Sequence, residues 1–248
     1  MESLTTLDLA ALLACITIAA LLYSSVGHGG ASSYLAAMAL FGVAPVFMKP
    51  AALAMNIVVA GLVFYRLWRA GYFDAHLFWP FALGSIPLAF VGGTLTLPGG
   101  AYRILVAIAL LVAAARLLWK TQDHEARATP NLLVALASGA GLGLLSGLTG
   151  VGGGIFLSPL LLLLRWANMR TTAALSAAFI LVNSIAALAG HATIAVVWPA
   201  QLPLLMLAAL AGALIGSELA VRRLAPVTLR RVLGVVLVIA GTKLLMSA

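Results

Sequence analysis

The sequence has few charged residues and almost no cysteine. Asp, Glu, Lys and Arg make up 8% of the 248 residues, whereas soluble domains carry about 25%. So few charges cannot cover a surface that faces water, which excludes a soluble globular protein. The single cysteine, Cys15, cannot form an internal disulfide, and no spacing of His, Cys, Asp or Glu suggests a metal site. We therefore expect neither a metal nor another cofactor.

Hydrophobic residues dominate what is present. They make up 64% of the chain, and the mean hydropathy is +1.16. Residues 202–221 and 232–246 are long continuous apolar runs, rather than the alternating polarity of membrane strands. Helices satisfy their own backbone groups in lipid. The sequence therefore predicts an all-α polytopic protein whose main partner is the lipid bilayer.

Ten apolar segments and one polar interruption organise the chain. The longest polar stretch, KTQDHEARATP at 120–130, lies near the midpoint. We expect a first transmembrane repeat over 1–120, a linker over 121–130 and a second repeat over 131–248. The ten predicted segments are 7–26, 31–46, 50–66, 77–96, 103–119, 131–147, 155–165, 172–190, 201–221 and 229–246.

The two halves share an order of features. Each has an apolar segment, a glycine-rich break, a short segment and then three longer segments. The second break, at 150–153, follows the first, at 27–30, by 123 residues. Asn183 follows Asn56 by 127 residues. The shared order predicts an internal repeat.

The basic residues set the expected orientation. If every segment crosses, eleven of the fourteen basic residues fall on one side and three on the other. If the second and seventh segments do not cross, the count is eight against six. The first scheme makes the richer side cytoplasmic and places both termini outside. The richer side holds Arg66, Arg69, Arg116, Lys120, Arg127, Arg165, Arg170, Arg222, Arg223, Arg230 and Arg231, and the other holds Lys49, Arg103 and Lys243.

This orientation has two consequences. Five segments per half is an odd number, so the second half is inverted relative to the first, as in many secondary transporters. The net charge of +8 is explained by orientation, and we expect no nucleic-acid partner. The charge count leaves the depth of the breaks open, because a re-entrant pair meeting at mid-depth gives the same parity as two full crossings.

The glycine-rich breaks are candidate anion sites. The first N–H groups of a helix have no partner inside it, and the helix dipole makes that end positive. Glycine lets an anion approach the backbone. The alternative is close helix packing through small residues, which we prefer for Gly139, Gly141, Gly143 and Gly147. The candidate binding glycines are Gly27, Gly29 and Gly30 in the first break and Gly150, Gly152, Gly153 and Gly154 in the second.

Several polar residues complete the candidate site. His28 either faces a cavity at membrane depth or, if the segments cross fully, lies in a loop near the cytoplasmic surface. Asn56 and Asn183 either donate to an anion or form interhelical hydrogen bonds. No arrangement of Ser, His and acidic residues suggests catalysis. Ser32, Ser33, Thr149 and Ser158 flank the breaks and could add hydroxyl donors.

One pattern resembles a known family. Residues 150–159 read Gly-x-Gly-Gly-Gly-(x)4-Pro and follow SGLTG, which is similar to the signature of the sulfite exporter TauE/SafE family. Residues 24–38, SSVGHGGASSYLAAM, resemble its degenerate first copy. The resemblance implies a bacterial inner-membrane carrier that exports small sulfur-containing anions such as sulfite, thiosulfate or organosulfonates, sulfoacetate among them.

We therefore predict a secondary transporter for a small anionic substrate, and not an enzyme. A channel-like anion conduit is the first alternative. A membrane enzyme that uses His28 as a general base is the second, and a structural subunit of a larger complex is the third. The sequence is compatible with a homo-oligomer but does not define one.

Overall fold

In the part of the chain that the structure describes, the protein is a bundle of ten α-helices. The structure is a computed structural model that describes residues 5–118, 128–194, 197–222 and 227–246. The described residues contain ten helices and no strands, which confirms the predicted all-α fold. They are α1 (Thr6–Ser24), α2 (Ala31–Leu40), α3 (Pro45–Arg69), α4 (Ala75–Thr94), α5 (Gly99–Leu118), α6 (Leu132–Thr149), α7 (Gly154–Leu163), α8 (Met169–Ala192), α9 (Leu202–Arg222) and α10 (Val227–Met246).

The largest difference from the predicted boundaries lies between α2 and α3. The segments predicted at 31–46 and 50–66 are α2 ending at Leu40 and α3 beginning at Pro45. Gly42 turns the chain there with φ 71°. Pro45 occupies the first turn of α3, where a missing N–H costs no hydrogen bond. Most of the predicted linker, 121–127, lies outside the described residues.

The helices differ in length. Within the described residues, six helices are long and apolar enough to cross a membrane: α1, α3, α4, α6, α8 and α9. In contrast, α2 and α7 have ten residues each, or about 15 Å of helix, half of a hydrocarbon core of about 30 Å. Neither α2 nor α7 can cross alone.

The long helices α3 and α8 form the centre of the bundle. They are the most buried of the six long helices, and they pack against each other. Around them, α1 packs on α9, α6 packs on α4, and α5 packs on α10. Helix α9 also contacts α3, as α4 contacts α8. Each pair that joins a helix of the first five to one of the last five has a counterpart with the halves exchanged.

Glycines allow α6 to lie directly on α4. A Cβ on Gly139, Gly143 or Gly147 would collide with the backbone of α4, whereas a Cβ on Gly141 would meet nothing within 4 Å. Three of the four glycines predicted to serve packing therefore contact a neighbouring helix, and Gly141 does not. The spacing of four residues follows the helical period, which keeps the three on one face.

The ends of the helices lie at two opposite ends of the bundle. At one end, the Lys49 side chain contacts the last turn of α4, and Lys243 donates to the carbonyl of Leu40. We call this the Lys49 end. At the other end, Arg66 pairs with Glu218 at 3.3 Å, and Arg170 donates to the Tyr72 hydroxyl. We call this the Arg66 end. The grouping matches the alternation of sides that the charge count predicts.

Candidate functional site

The two glycine-rich breaks meet where α3 crosses α8. A Cβ built on Gly29, in the first break, would lie 2.7 Å from Asn56 Oδ1 and 2.9 Å from the Ile180 side chain. A Cβ on Gly152, in the second, would lie 2.7 Å from Asn56 Nδ2 and 2.8 Å from Ile180. Asn56 and Ile180 are near the midpoints of α3 and α8. Both breaks therefore reach the middle of the bundle.

Each break runs inward from one end of the molecule. Gly27 lies against Ala173 in the second turn of α8, and Gly150 lies against Lys49 in the second turn of α3. Two residues further along, Gly29 and Gly152 are at the crossing. The short helices α2 and α7 therefore begin near mid-depth, which is the re-entrant arrangement that the charge count left open.

Positive φ angles turn the chain into the short helices. Gly30 is the N-cap of α2 with φ 99°, and Gly153 is the N-cap of α7 with φ 76°. Residues with a Cβ rarely adopt this region, because it costs roughly 1–2 kcal/mol. Neither cap has a side chain that could accept the first N–H groups. The helix starts are therefore left for other acceptors.

Asn56 supplies one such acceptor and joins the two breaks. Its Oδ1 accepts the N–H of Ala31 at 3.1 Å, in the first turn of α2. Its Nδ2 donates to the Val151 carbonyl at 3.3 Å and to the Ser184 hydroxyl at 3.4 Å. Asn56 is fully buried. In this structure the amide therefore links the halves.

The start of α7 keeps its donors free. Among the described residues, no acceptor faces the backbone N–H groups of Gly152, Gly153, Gly154 and Ile155. All four residues are buried. Buried N–H groups are nearly always paired, so four successive unpaired donors at a helix N-terminus mark a place for an anionic acceptor.

His28 lies beside the start of α7. It is buried, and its Nε2 is 2.7 Å from the Ser158 hydroxyl. Its Nδ1 is 3.0 Å from the Val26 carbonyl, which can only accept, so Nδ1 carries a proton. In neutral histidine Nε2 is then an acceptor for the Ser158 hydroxyl, whose single proton can go either to Nε2 or to the Gly154 carbonyl at 2.9 Å. Ser158 in turn lies 2.7 Å from the Ser176 hydroxyl of α8. The first break thus contacts two helices of the second half.

The predicted hydroxyl residues differ in what they offer. Thr149 donates to Leu145 and accepts from the N–H of Val151, so it shapes the break. Ser32 donates to the Tyr23 hydroxyl at 2.6 Å. The Ser33 hydroxyl is buried and has no hydrogen-bond partner among the described residues. Ser33 is therefore the predicted hydroxyl with an unused donor.

Asn183 does not occupy the position on α8 that corresponds to Asn56 on α3. Ile180 does, because both breaks approach Asn56 and Ile180 together. The Asn183 Nδ2 donates to the Phe179 carbonyl of its own helix at 2.8 Å, and its buried Oδ1 has no partner within the described part of the chain. Asn183 follows Asn56 by 127 residues, whereas the two breaks are 123 residues apart. Asn183 therefore does not fall at the position in the second half that is equivalent to Asn56.

Three polar residues of the site were not predicted from the sequence: Ser184, which accepts from the Asn56 amide, Ser176 and Lys49. Ser176 lies one helical turn before Ile180, but its sequence context has no distinguishing feature. Lys49 figured only as a charge beside a predicted segment, whereas the structure buries it in α3 next to Gly150. The signal for Lys49 was a lysine at the edge of an apolar run.

Comparisons with known proteins identify the family of the chain. The family described as "Sulfite exporter TauE/SafE" matches residues 12–244. The probable membrane transporter protein y4hK of Sinorhizobium fredii is 37% identical over 233 residues, covering 92% of this chain and 94% of that protein. No solved structure matches the chain significantly. The chain is thus a membrane transporter that belongs to the sulfite exporter TauE/SafE family.

Proposed function

We propose that this protein is a secondary transporter that exports a small sulfur-containing anion, sulfite or an organosulfonate such as sulfoacetate, across the bacterial inner membrane. The observation that carries the proposal is the run of four buried, unpaired N–H groups from Gly152 to Ile155. Backbone N–H groups at a helix N-terminus suit the oxygens of an oxyanion. The choice of a sulfur-containing anion rests on the family and not on these backbone donors.

The surroundings of α7 fit such a ligand. The polar side chains beside it, among them Asn56, Ser158 and Ser184, are uncharged. No carboxylate of the described residues contacts them. An anion at the start of α7 therefore meets backbone N–H donors and no like charge. The hydroxyl of Ser33 is a further unused donor, on α2.

An inverted repeat supplies the means of alternating access. The first five helices and the last five make corresponding contacts, and α3 and α8 cross at their midpoints. One break runs inward from the Arg66 end and the other from the Lys49 end. Rocking of one half against the other would open the crossing to each side in turn.

Proteoliposomes test the proposal. Vesicles loaded with unlabelled sulfite should accumulate external radiolabelled sulfite transiently, and the initial rate should saturate with concentration. The Gly152→Val protein should lose this counterflow because its side chain would collide with Asn56 and Ile180. Gly141→Ala is the matched control, since Gly141 faces open space.

The same assay separates the alternatives. Flux that neither saturates nor shows counterflow would identify a channel-like conduit. Absence of flux with both sulfite and sulfoacetate would contradict the proposal. Conversion of sulfite by purified protein in detergent, lost in His28→Ala, would favour an enzyme.

A further inference from the structure

A cavity opens at the Lys49 end, beside the second break. Its volume is about 290 Å³, just below the range of pockets for drug-sized ligands. Its walls come from the starts of α3 and α5, the ends of α6 and α8, and the loop after α4. We call it the Lys49 cavity. Lys49, Thr96, Tyr102 and His191 are among the residues that line it.

The charge in its wall is positive and has no carboxylate partner. Lys49 is 6% exposed, and the described residues place no Asp or Glu within ion-pairing distance of it. Buried ammonium groups are expensive unless they are paired. The other titratable side chains that face the cavity are His191 and Tyr102, and neither carries a negative charge at neutral pH.

Among the described residues, the Lys49 ammonium donates only to carbonyl groups. Its Nζ donates to Gly92 at 3.1 Å and to Gly93 and Leu95 at 3.3 Å each. Strong charge-assisted bonds of an ammonium are shorter, about 2.7–2.9 Å. These contacts cap the C-terminus of α4, but they leave the positive charge uncompensated.

His191 is the second nitrogen-bearing side chain in this wall. Its imidazole interacts with the backbone of Gly93, the residue whose carbonyl Lys49 also contacts. The Nδ1 atom is buried and makes no hydrogen bond of good geometry to the described residues. Two nitrogen-bearing side chains therefore meet at one carbonyl on the wall of the same cavity.

The cavity also adjoins the central site. Tyr102 donates to the Thr149 carbonyl at the end of α6, and a Cβ on Gly150 would contact the Lys49 side chain. Only the second glycine-rich break would separate an anion in the cavity from the unpaired N–H groups at the start of α7.

From these contacts we infer a second binding site, in which Lys49 and His191 hold a small oxyanion in the Lys49 cavity. The site would hold the transported anion before or after it occupies the start of α7, so this inference rests on the proposed function. On binding, the Lys49 ammonium would give up its hydrogen bond to one carbonyl of α4 and donate to the anion instead. Under the predicted orientation, the cavity opens to the periplasm.

Calorimetric titration of the purified protein with sulfite tests the inference. Wild-type protein should show two binding events. Lys49→Gln should remove one of them or weaken it at least about tenfold, as expected when a hydrogen bond to a charged group is lost. Lys49→Arg keeps the charge and should restore much of the affinity.

Lys243→Gln is the matched control. It removes the same charge at the same end of the molecule, and Lys243 also donates to the carbonyl at a helix C-terminus, that of Leu40 in α2. Both binding events should survive in this variant. His191→Gln, which removes no buried ammonium, provides a second measurement if Lys49→Gln does not fold, and it should weaken the same event.

Several results would overturn the inference. One is a single binding event in the wild-type protein. Another is two unchanged binding events in Lys49→Gln. If Lys49→Gln does not fold, two unchanged binding events in His191→Gln would also overturn it. A Lys49→Gln protein that melts earlier but binds sulfite normally would make Lys49 only a cap for α4. The proposed function fails separately, if the proteoliposomes show no saturable flux while the Lys49-dependent event persists.

Discussion

The imidazole of His28 lies 2.7 Å from the hydroxyl of Ser158, so the first glycine-rich break contacts the short helix of the second half directly. The two residues are 130 positions apart in the chain. Together with the bonds of Asn56 to both breaks, this contact makes the centre of the protein a junction between halves.

The contact between His28 and Ser158 should stabilise the protein measurably. Ser158→Ala leaves Nε2 of a buried histidine without this partner, which costs about 1–3 kcal/mol. Thermal melting of His28→Ala, Ser158→Ala and the double variant should show coupling of about 0.5–3 kcal/mol. Ser217→Ala is the control, because the buried Ser217 donates only within its own helix. Additive effects would contradict a direct contact.

Asn56 should matter more than Asn183 to both stability and transport. Asn56→Leu leaves the Ala31 N–H and the Val151 carbonyl without a partner, at about 1–3 kcal/mol for each buried group. Asn183→Leu loses one hydrogen bond within its own helix, so it should melt closer to wild type. Melting in detergent and sulfite counterflow should rank the two alike. Equal losses in both assays would argue against Asn56 as the link.

Two glycines should respond in opposite directions to alanine. Gly152→Ala forces a Cβ into a backbone with φ 87° and against Asn56, with a conformational cost of roughly 1–2 kcal/mol before any collision. Gly141→Ala lies within α6 and meets nothing, so it should be neutral or stabilising by up to about 1 kcal/mol. Thermal melting measures both. A Gly152→Ala protein as stable as wild type would contradict the described break.

Cysteine labelling should place the two ends of the bundle on opposite sides. In a Cys15→Ser background, an impermeant maleimide should label Thr96→Cys in intact cells, because Thr96 is exposed at the Lys49 end. It should label Arg69→Cys, exposed at the Arg66 end, only after the cells are permeabilised. Arg103→Cys should behave like Thr96→Cys, and Arg127→Cys like Arg69→Cys. The reverse pattern would invert the predicted orientation.

Much of the fold could be predicted from the sequence because lipid imposes strong local rules. Apolar runs must be helical where water is absent, so all ten segments were found, with the main boundary error at the turn around Gly42. The consecutive glycines of both breaks also stand out locally. Glycine has a low helix propensity, so a run of glycines between apolar helical segments marks a break that a single sequence reveals.

The hydrogen-bond partner of each buried polar group could be identified only from the tertiary structure. The sequence placed Asn56 and Asn183 in equivalent roles, but a helix turns about 100° per residue, so a difference of a few residues in register aims a side chain elsewhere. Ile180 therefore faces Asn56, and Asn183 bonds to its own helix. The depth of the breaks was likewise undecidable from charge, because a re-entrant pair and two crossings put the same loops on the same sides. The packing of Gly29 and Gly152 against the middle of α3 decided it.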